Sequence, residues 1–142
     1  MALSSDTPRS YSWIGVENSL PVQASSTVYS GSALTIDTGG EVGPAATGEV
    51  NFAGFAVAGA DNSSGSAADI NCRVLVEGEV LLTVAGVDDN DDIGDVCYAS
   101  DDGTFTLTAG SNKAIGRVSQ IGETSGTARV RFKSAVLEHA LD

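Results

Sequence analysis

The sequence predicts an all-β domain, on three observations. Residues Cys72 to Val84 alternate apolar and polar with a period of two for longer than an ordinary strand. An Asp102-Gly103 pair separates two short β-prone runs, the pattern of a hairpin turn. The residue mix is rich in Gly, Ala, Ser, Thr and Val, while aromatics make up only 6% and Lys is scarce. Such a mix suits short strands and tight turns, whereas long helices want more Leu, Lys and Glu. With 142 residues the chain fits one compact domain plus an arm, since domains commonly run to about 100 to 150 residues.

Residues 1–48 are dominated by Ser, Thr, Ala, Gly and Pro, and are expected to form an extended N-terminal arm and first short strands. Within them Tyr11, Trp13, Ile14 and Val16 stand out from a polar setting. Exposed on an isolated arm they cost free energy unless something covers them, so they either pack on their own domain as a first strand or dock on a neighbouring subunit. Val28 to Ile36 reads as a short strand and Asp37-Thr38-Gly39-Gly40 as a turn.

Residues 49–133 are expected to form the core domain. Val50 to Ala58, carrying Phe52 and Phe55, reads as a strand, and Asp61 to Ser66 as an exposed polar loop. In the run from Cys72 to Val84, Cys72, Val74, Val76, Val80, Leu82 and Val84 share one parity, with Gly78 between them. No helix places every second residue on one face. Gly78 keeps the parity, so it marks a bend or a place where another backbone comes close. Asp88-Asp89-Asn90-Asp91-Asp92 is a solvated turn, because so many like charges are not buried together. Val96 to Ala99 and Thr104 to Thr108 flank the Asp102-Gly103 hairpin. Ala114 to Gln120 and Thr127 to Phe132 follow as two more strands, and in the last Ala128, Val130 and Phe132 alternate with Arg129, Arg131 and Lys133. One face of that strand is core and the other cationic. Residues 134–142 are expected to be a short tail with a helical apolar stripe.

The formal charge of −12 argues against a nucleic-acid partner, because phosphate binding depends on clustered Lys and Arg. It also repels anionic membranes, and no segment has the roughly 18 apolar residues that span a bilayer. Met1 to Ser10 lacks the basic start and apolar core of a signal peptide, so the chain is expected to be made in the cytoplasm. Charge is unevenly placed: Asp88 to Asp102 has no cation, whereas Lys113, Arg117, Arg129, Arg131 and Lys133 gather in the last third.

No catalytic centre is expected. His139, the single histidine, lies near the chain end, which leaves no Ser-His-Asp triad. Cys72 and Cys97 lack zinc-ligand spacing and are expected as buried free thiols, with a single bridge between them as the alternative. Asp88, Asn90 and Asp92 fill the first three positions of an EF-hand loop, but Ile93 stands where Gly is required and Ala99 where a bidentate Glu belongs. A solvated turn is therefore expected, with no metal and no cofactor. Asn62-Ser63-Ser64 matches a glycosylation triplet that, without an export signal, reads as accidental.

With the strands placed, the chain from about Gly54 to Phe132 resembles the capsid decoration, or cement, proteins of tailed bacteriophages. The resemblance is carried by Gly54-Phe55-Ala56, Val76-Glu77-Gly78-Glu79-Val80, Ile93-Gly94-Asp95-Val96-Cys97-Tyr98, Asp102-Gly103, Ile115-Gly116-Arg117-Val118 and Ala128-Arg129-Val130-Arg131-Phe132, in that order. It implies a small β-barrel or β-tulip-like domain that assembles as homotrimers on the outer surface of an icosahedral head and bridges major capsid subunits. It also implies that the stretch from Tyr11 to Val16 contacts the capsid. Candidate capsid or subunit contacts are then Tyr11, Trp13, Ile14, Val16, Arg129, Arg131 and Lys133. Two alternatives stand beside it: a carbohydrate- or receptor-binding β module of a virion or tail fibre, and a tail or head-completion subunit.

Overall fold

The computed structural model describes residues 2–46 and 51–134. Strands run from Tyr11–Ile14 (β1), Glu17–Pro21 (β2), Ser26–Val28 (β3), Ala33–Ile36 (β4), Val42–Pro44 (β5), Asn51–Ala56 (β6) and Ala60–Asn62 (β7). They continue with Asn71–Leu75 (β8), Glu77–Ala85 (β9), Val96–Ala99 (β10), Phe105–Thr106 (β11), Lys113–Ile121 (β12) and Thr127–Lys133 (β13). The one helical element among the described residues is a single 3₁₀ turn at Asn90–Asp92.

The protein is all-β and contains a closed five-stranded barrel, as the alternation and turn chemistry predict. Its staves run β9-β11-β10-β12-β13, and β13 returns to pair with β9. That last pairing is antiparallel and unbroken from Thr127 opposite Thr83 to Lys133 opposite Glu77. The Asp102-Gly103 turn is borne out: β10 and β11 pair antiparallel, Tyr98 with Thr106 and Ala99 with Phe105. A second sheet has the order β2-β8-β6-β4-β5, and a bridge from Val22 to Val42 draws its two edges together.

The single long strand expected from Cys72 to Val84 is two, β8 and β9, parted at Val76, while the apolar parity carries across the break: Cys72, Val74, Val76, Gly78, Val80, Leu82 and Val84 are all buried. One parity serves two cores. Cys72, Val74 and Val76 pack with Val22, Leu34 and Val42 under the second sheet, whereas Val80, Leu82 and Val84 pack inside the barrel. Leu75 breaks the parity because β8 has core on both sides; its side chain joins the barrel core. Gly78 sits where two backbones approach. It pairs with Ile14 on one side and Phe132 on the other, and a Cβ there would lie 2.8 Å from the Trp13 carbonyl oxygen.

Aromatic rings tie the two layers together. Phe55 and Phe132 meet at 4.8 Å between centroids, Phe52 reaches both, and Phe105 lies 5.9 Å from Phe55. Edge-on and tilted pairs of this kind add about 0.5–1.5 kcal/mol each beyond their burial.

The expected strand from Val28 to Ile36 divides into β3 and β4, because Ser32 turns the chain by donating its N–H to the Tyr29 carbonyl. The expected loop from Asp61 is also modified. Asn62 belongs to β7 and is buried, its amide donating to the carbonyls of Gln23 and Ser66, so the glycosylation triplet is closed off. The acidic run is a turn whose carboxylates cap it: Asp92 accepts from the N–H groups of Asp88 and Asp89, and Asp89 accepts from Asp91. The expected tail helix and His139 lie outside the described residues.

The N-terminal stretch lies along its own domain. β1 pairs with β9 and β2 with β8, so Tyr11 to Pro21 runs antiparallel to Asn71 to Val80. Before it, Thr7 donates to the Ser30 carbonyl, Arg9 Nε to the Gly31 carbonyl, and the Leu3 N–H to buried Asp102. β2, β4 and β5 from the first 48 residues share one sheet with β6 and β8.

Candidate functional site

Four neighbouring strands, β1, β9, β13 and β12, present one outward row across the barrel wall. In register it reads Trp13, Glu79, Arg131, Arg117. The inward neighbours Val80, Val130 and Val118 fill the core, so strand alternation fixes the outward direction of this row.

Glu79 is the hub. Its carboxylate accepts from Ser12 Oγ at 2.5 Å on β1 and from Ser119 Oγ at 2.8 Å on β12, and lies 3.5 Å from the Arg131 guanidinium. The hydrogen bonds from Ser12 and Ser119, helped by Arg131 and Arg129, hold the Glu79 carboxyl below the usual glutamate range. Three strands thereby share one side chain that is only 16% exposed. Ser119 reaches it because the β12–β13 register shifts between Val118 and Gln120.

Arg131 also lies over the Trp13 ring, 4.8 Å from guanidinium carbon to centroid. Trp13, Ile14 and Val16 are exposed, Ile14 to 66%. Lys133 is exposed opposite Glu77, and Arg129 is half-buried opposite Leu81. Of the seven residues singled out from the sequence, Trp13, Arg129, Arg131 and Lys133 lie on this outward face, whereas Ile14, in register with inward Gly78, and Val16, between β1 and β2, are exposed without sharing its parity. Tyr11 is the seventh and points inward. Its ring packs on the barrel core 6.5 Å from Phe132, and burial pushes its phenol up to about 12. The Tyr11 side chain is therefore not part of the outward face.

Arg117 belongs to the face although the sequence reading named it only among the clustered cations. Its place follows from register, which the bulge at Ser119 sets and residue type does not. Beside it a groove of about 490 Å³ opens between Glu77, Val96, Gly116, Arg117, Arg131 and Lys133. Gly116 is glycine by necessity of close approach, since a Cβ there would lie 2.1 Å from the Arg131 carbonyl oxygen.

Elsewhere the two cysteines and the hairpin carboxylate of Asp102 are taken up by the fold. Cys72 and Cys97 are free, buried, and sit in the two different cores, and burial pushes their thiols up to about 11 and about 12. Asp102, in the hairpin turn, is buried and accepts from Ser32 Oγ and the Leu3 N–H. No cluster of three or more metal-ligating side chains occurs among the described residues. In comparison with known proteins, the chain matches no family model, no curated protein and no solved structure.

Proposed function

We propose that this protein is a structural decoration protein of a tailed-phage virion: it binds the outer surface of an icosahedral head and stabilises the expanded shell, as homotrimers that bridge major capsid subunits. The observation that carries the reading is the face around Trp13. A chain of charge −12 keeps part-exposed Trp13 under Arg131, on a barrel wall that also carries Lys133 and is braced by Glu79, with Ile14 and Val16 exposed further along the same N-terminal segment. Exposed apolar residues beside a cationic patch suit a protein partner, and the ordered motifs from Gly54 to Phe132 supply the partner class.

The mechanism is thermodynamic and uses no catalytic centre. A ligand that binds only the expanded shell stabilises it by mass action, and weak contacts repeated over a lattice sum to high avidity. A sugar-stacking module is less favoured, because the Arg131 guanidinium already covers one side of the Trp13 ring. The test is sedimentation of the purified protein with expanded, undecorated heads, followed by thermal rupture of the heads. Co-sedimentation and a raised rupture temperature are expected. Heads that neither retain the protein nor change their melting would refute the reading.

A further inference from the structure

Within the outward row, one local rule of sheet design is broken. Arg117 on β12 and Arg131 on β13 are direct partners in register, and Lys133 follows one outward position further along β13. Like charges directly opposite on neighbouring strands destabilise a sheet. Acidic residues outnumber Lys and Arg by 19 to 7 in this chain, so a carboxylate opposite Arg117 was the abundant alternative. Among the described residues neither Arg117 nor Lys133 makes an ion pair, and Arg131 has one, the 3.5 Å contact to Glu79, besides lying over the Trp13 ring. Arg117 is instead held outward by a hydrogen bond from its Nη1 to the Gly94 carbonyl at 2.8 Å. The three cations line the groove of about 490 Å³ together with Gly116 and a single carboxylate, Glu77, which stands opposite Lys133, so cations outnumber it three to one. Positions where a sequence breaks a local rule without a compensating internal contact are those where function is expected.

We infer that this groove receives an extended carboxylate-bearing segment of the major capsid subunit, with the negative side chains seated between Arg117, Arg131 and Lys133. The inference rests on the decoration reading and names the chemistry of its partner. Charge complementarity selects the occupant. The excess of negative charge elsewhere on the chain repels an acidic partner, so such a partner is drawn in only at this groove. Arg131 and Lys133 lie two residues apart on one strand face, about 6.8 Å along it at the usual strand rise. An extended segment with acidic residues two apart repeats that spacing. Trp13 lies across β9 from the groove on the same outward face and supplies the flanking apolar contact.

The test compares the full-length protein with the R117E/K133E variant in three measurements: melting of the isolated protein, co-sedimentation with expanded undecorated heads at low and high salt, and oligomeric state by analytical ultracentrifugation. In the variant a carboxylate at position 117 faces Arg131, which replaces repulsion by attraction, while one at position 133 faces Glu77, which does the reverse. The two changes offset, so the isolated variant is expected to melt close to the parent while its affinity for heads falls roughly tenfold or more. Parent binding is expected to weaken as salt rises. The milder R117Q/K133Q variant, expected to bind with intermediate affinity, serves if the reversed pair misfolds. Parent protein that binds heads while both variants bind equally well overturns the inference and leaves the decoration reading standing. Variants that keep head binding but lose self-association assign the groove to a second copy of the chain and also overturn it. Parent protein that does not bind heads at all refutes the decoration reading itself.

Discussion

Replacing Gly116 by Ala gives a prediction whose sign depends on the register of β12 and β13. Gly116 does not occupy the left-handed region. Backbone entropy alone therefore favours Ala, by about 0.4–1 kcal/mol through the unfolded chain. The close approach of β13 opposes this. An Ala Cβ would sit 2.1 Å from the Arg131 carbonyl oxygen and 2.8 Å from the Phe132 Cα, so restoring an ordinary 3.4 Å contact parts the strands by about 1.3 Å. A ladder hydrogen bond near 2.9 Å would stretch to about 4.2 Å, beyond hydrogen-bonding reach. Losing one such bond beside the buried Phe132, together with the overpacking, costs about 1–3 kcal/mol, which outweighs the entropic gain. For a chain of this length the net change lowers the melting temperature by about 3–10 °C. Thermal unfolding followed by circular dichroism checks the size, and hydrogen exchange checks the place, since amides along β12 and β13 should lose protection first. A variant as stable as the parent or more so, with unchanged β12–β13 protection, would refute the close approach.

Three further perturbations separate the core from the outer face. Val80 is fully buried between Tyr11 on β1 and Val130 on β13, so Val80→Asp places an unpaired carboxylate in the barrel. The cost is about 4–5 kcal/mol or more, a large part of an ordinary domain's stability, and loss of the cooperative melting transition is expected. Trp13→Ala removes a part-exposed ring and its contact with Arg131, worth about 0.5–1 kcal/mol. The variant should melt close to the parent in isolation and bind expanded heads more weakly, measured by co-sedimentation. The Glu79 carboxyl is held low by Ser12 and Ser119, so its folded value lies beneath its unfolded one. Its contribution is present above the unfolded glutamate range and is lost as pH falls through the folded value. Glu79→Gln should therefore flatten the acid side of the stability curve below about pH 4.5 and leave its neutral side less stable than the parent, read from urea midpoints across pH.

Legibility in the sequence followed burial on one face. The run from Cys72 to Val84, the Asp102-Gly103 hairpin and the closing strand with Ala128, Val130 and Phe132 inward were readable, because each buries alternate side chains while exposing polar ones. β5 was not, and β3 and β4 were readable only as one run from Val28 to Ile36, since each is three or four residues long and buried polar groups such as Ser32 and Thr35 mask the alternation. The placement of Tyr11 to Pro21 against Asn71 to Val80 was open for a physical reason. Trp13, Ile14 and Val16 stay exposed after the strands pair, so their apolar character carries no signal of where they pack. At the candidate face the residue types were visible and their juxtaposition was not. Glu79 looked like one more polar residue of an alternating strand until Ser12, Ser119 and Arg131 converged on it. Arg117 faces Arg131 only because of a register that the bulge at Ser119 displaces within two residues.

The crossing at Val76 has a mechanical consequence. β8 is a stave of the second sheet and β9 a stave of the barrel, with Val76 the single residue between them. Val76 is itself buried, its N–H donates to the Val16 carbonyl and its carbonyl accepts from the Ser134 N–H, so both flanking segments clamp the joint. No hinge exists at that point. A force applied to either sheet passes along the strand as shear, resisted by β1 and β2 on one side and by β13 on the other, and the two layers respond as one strut.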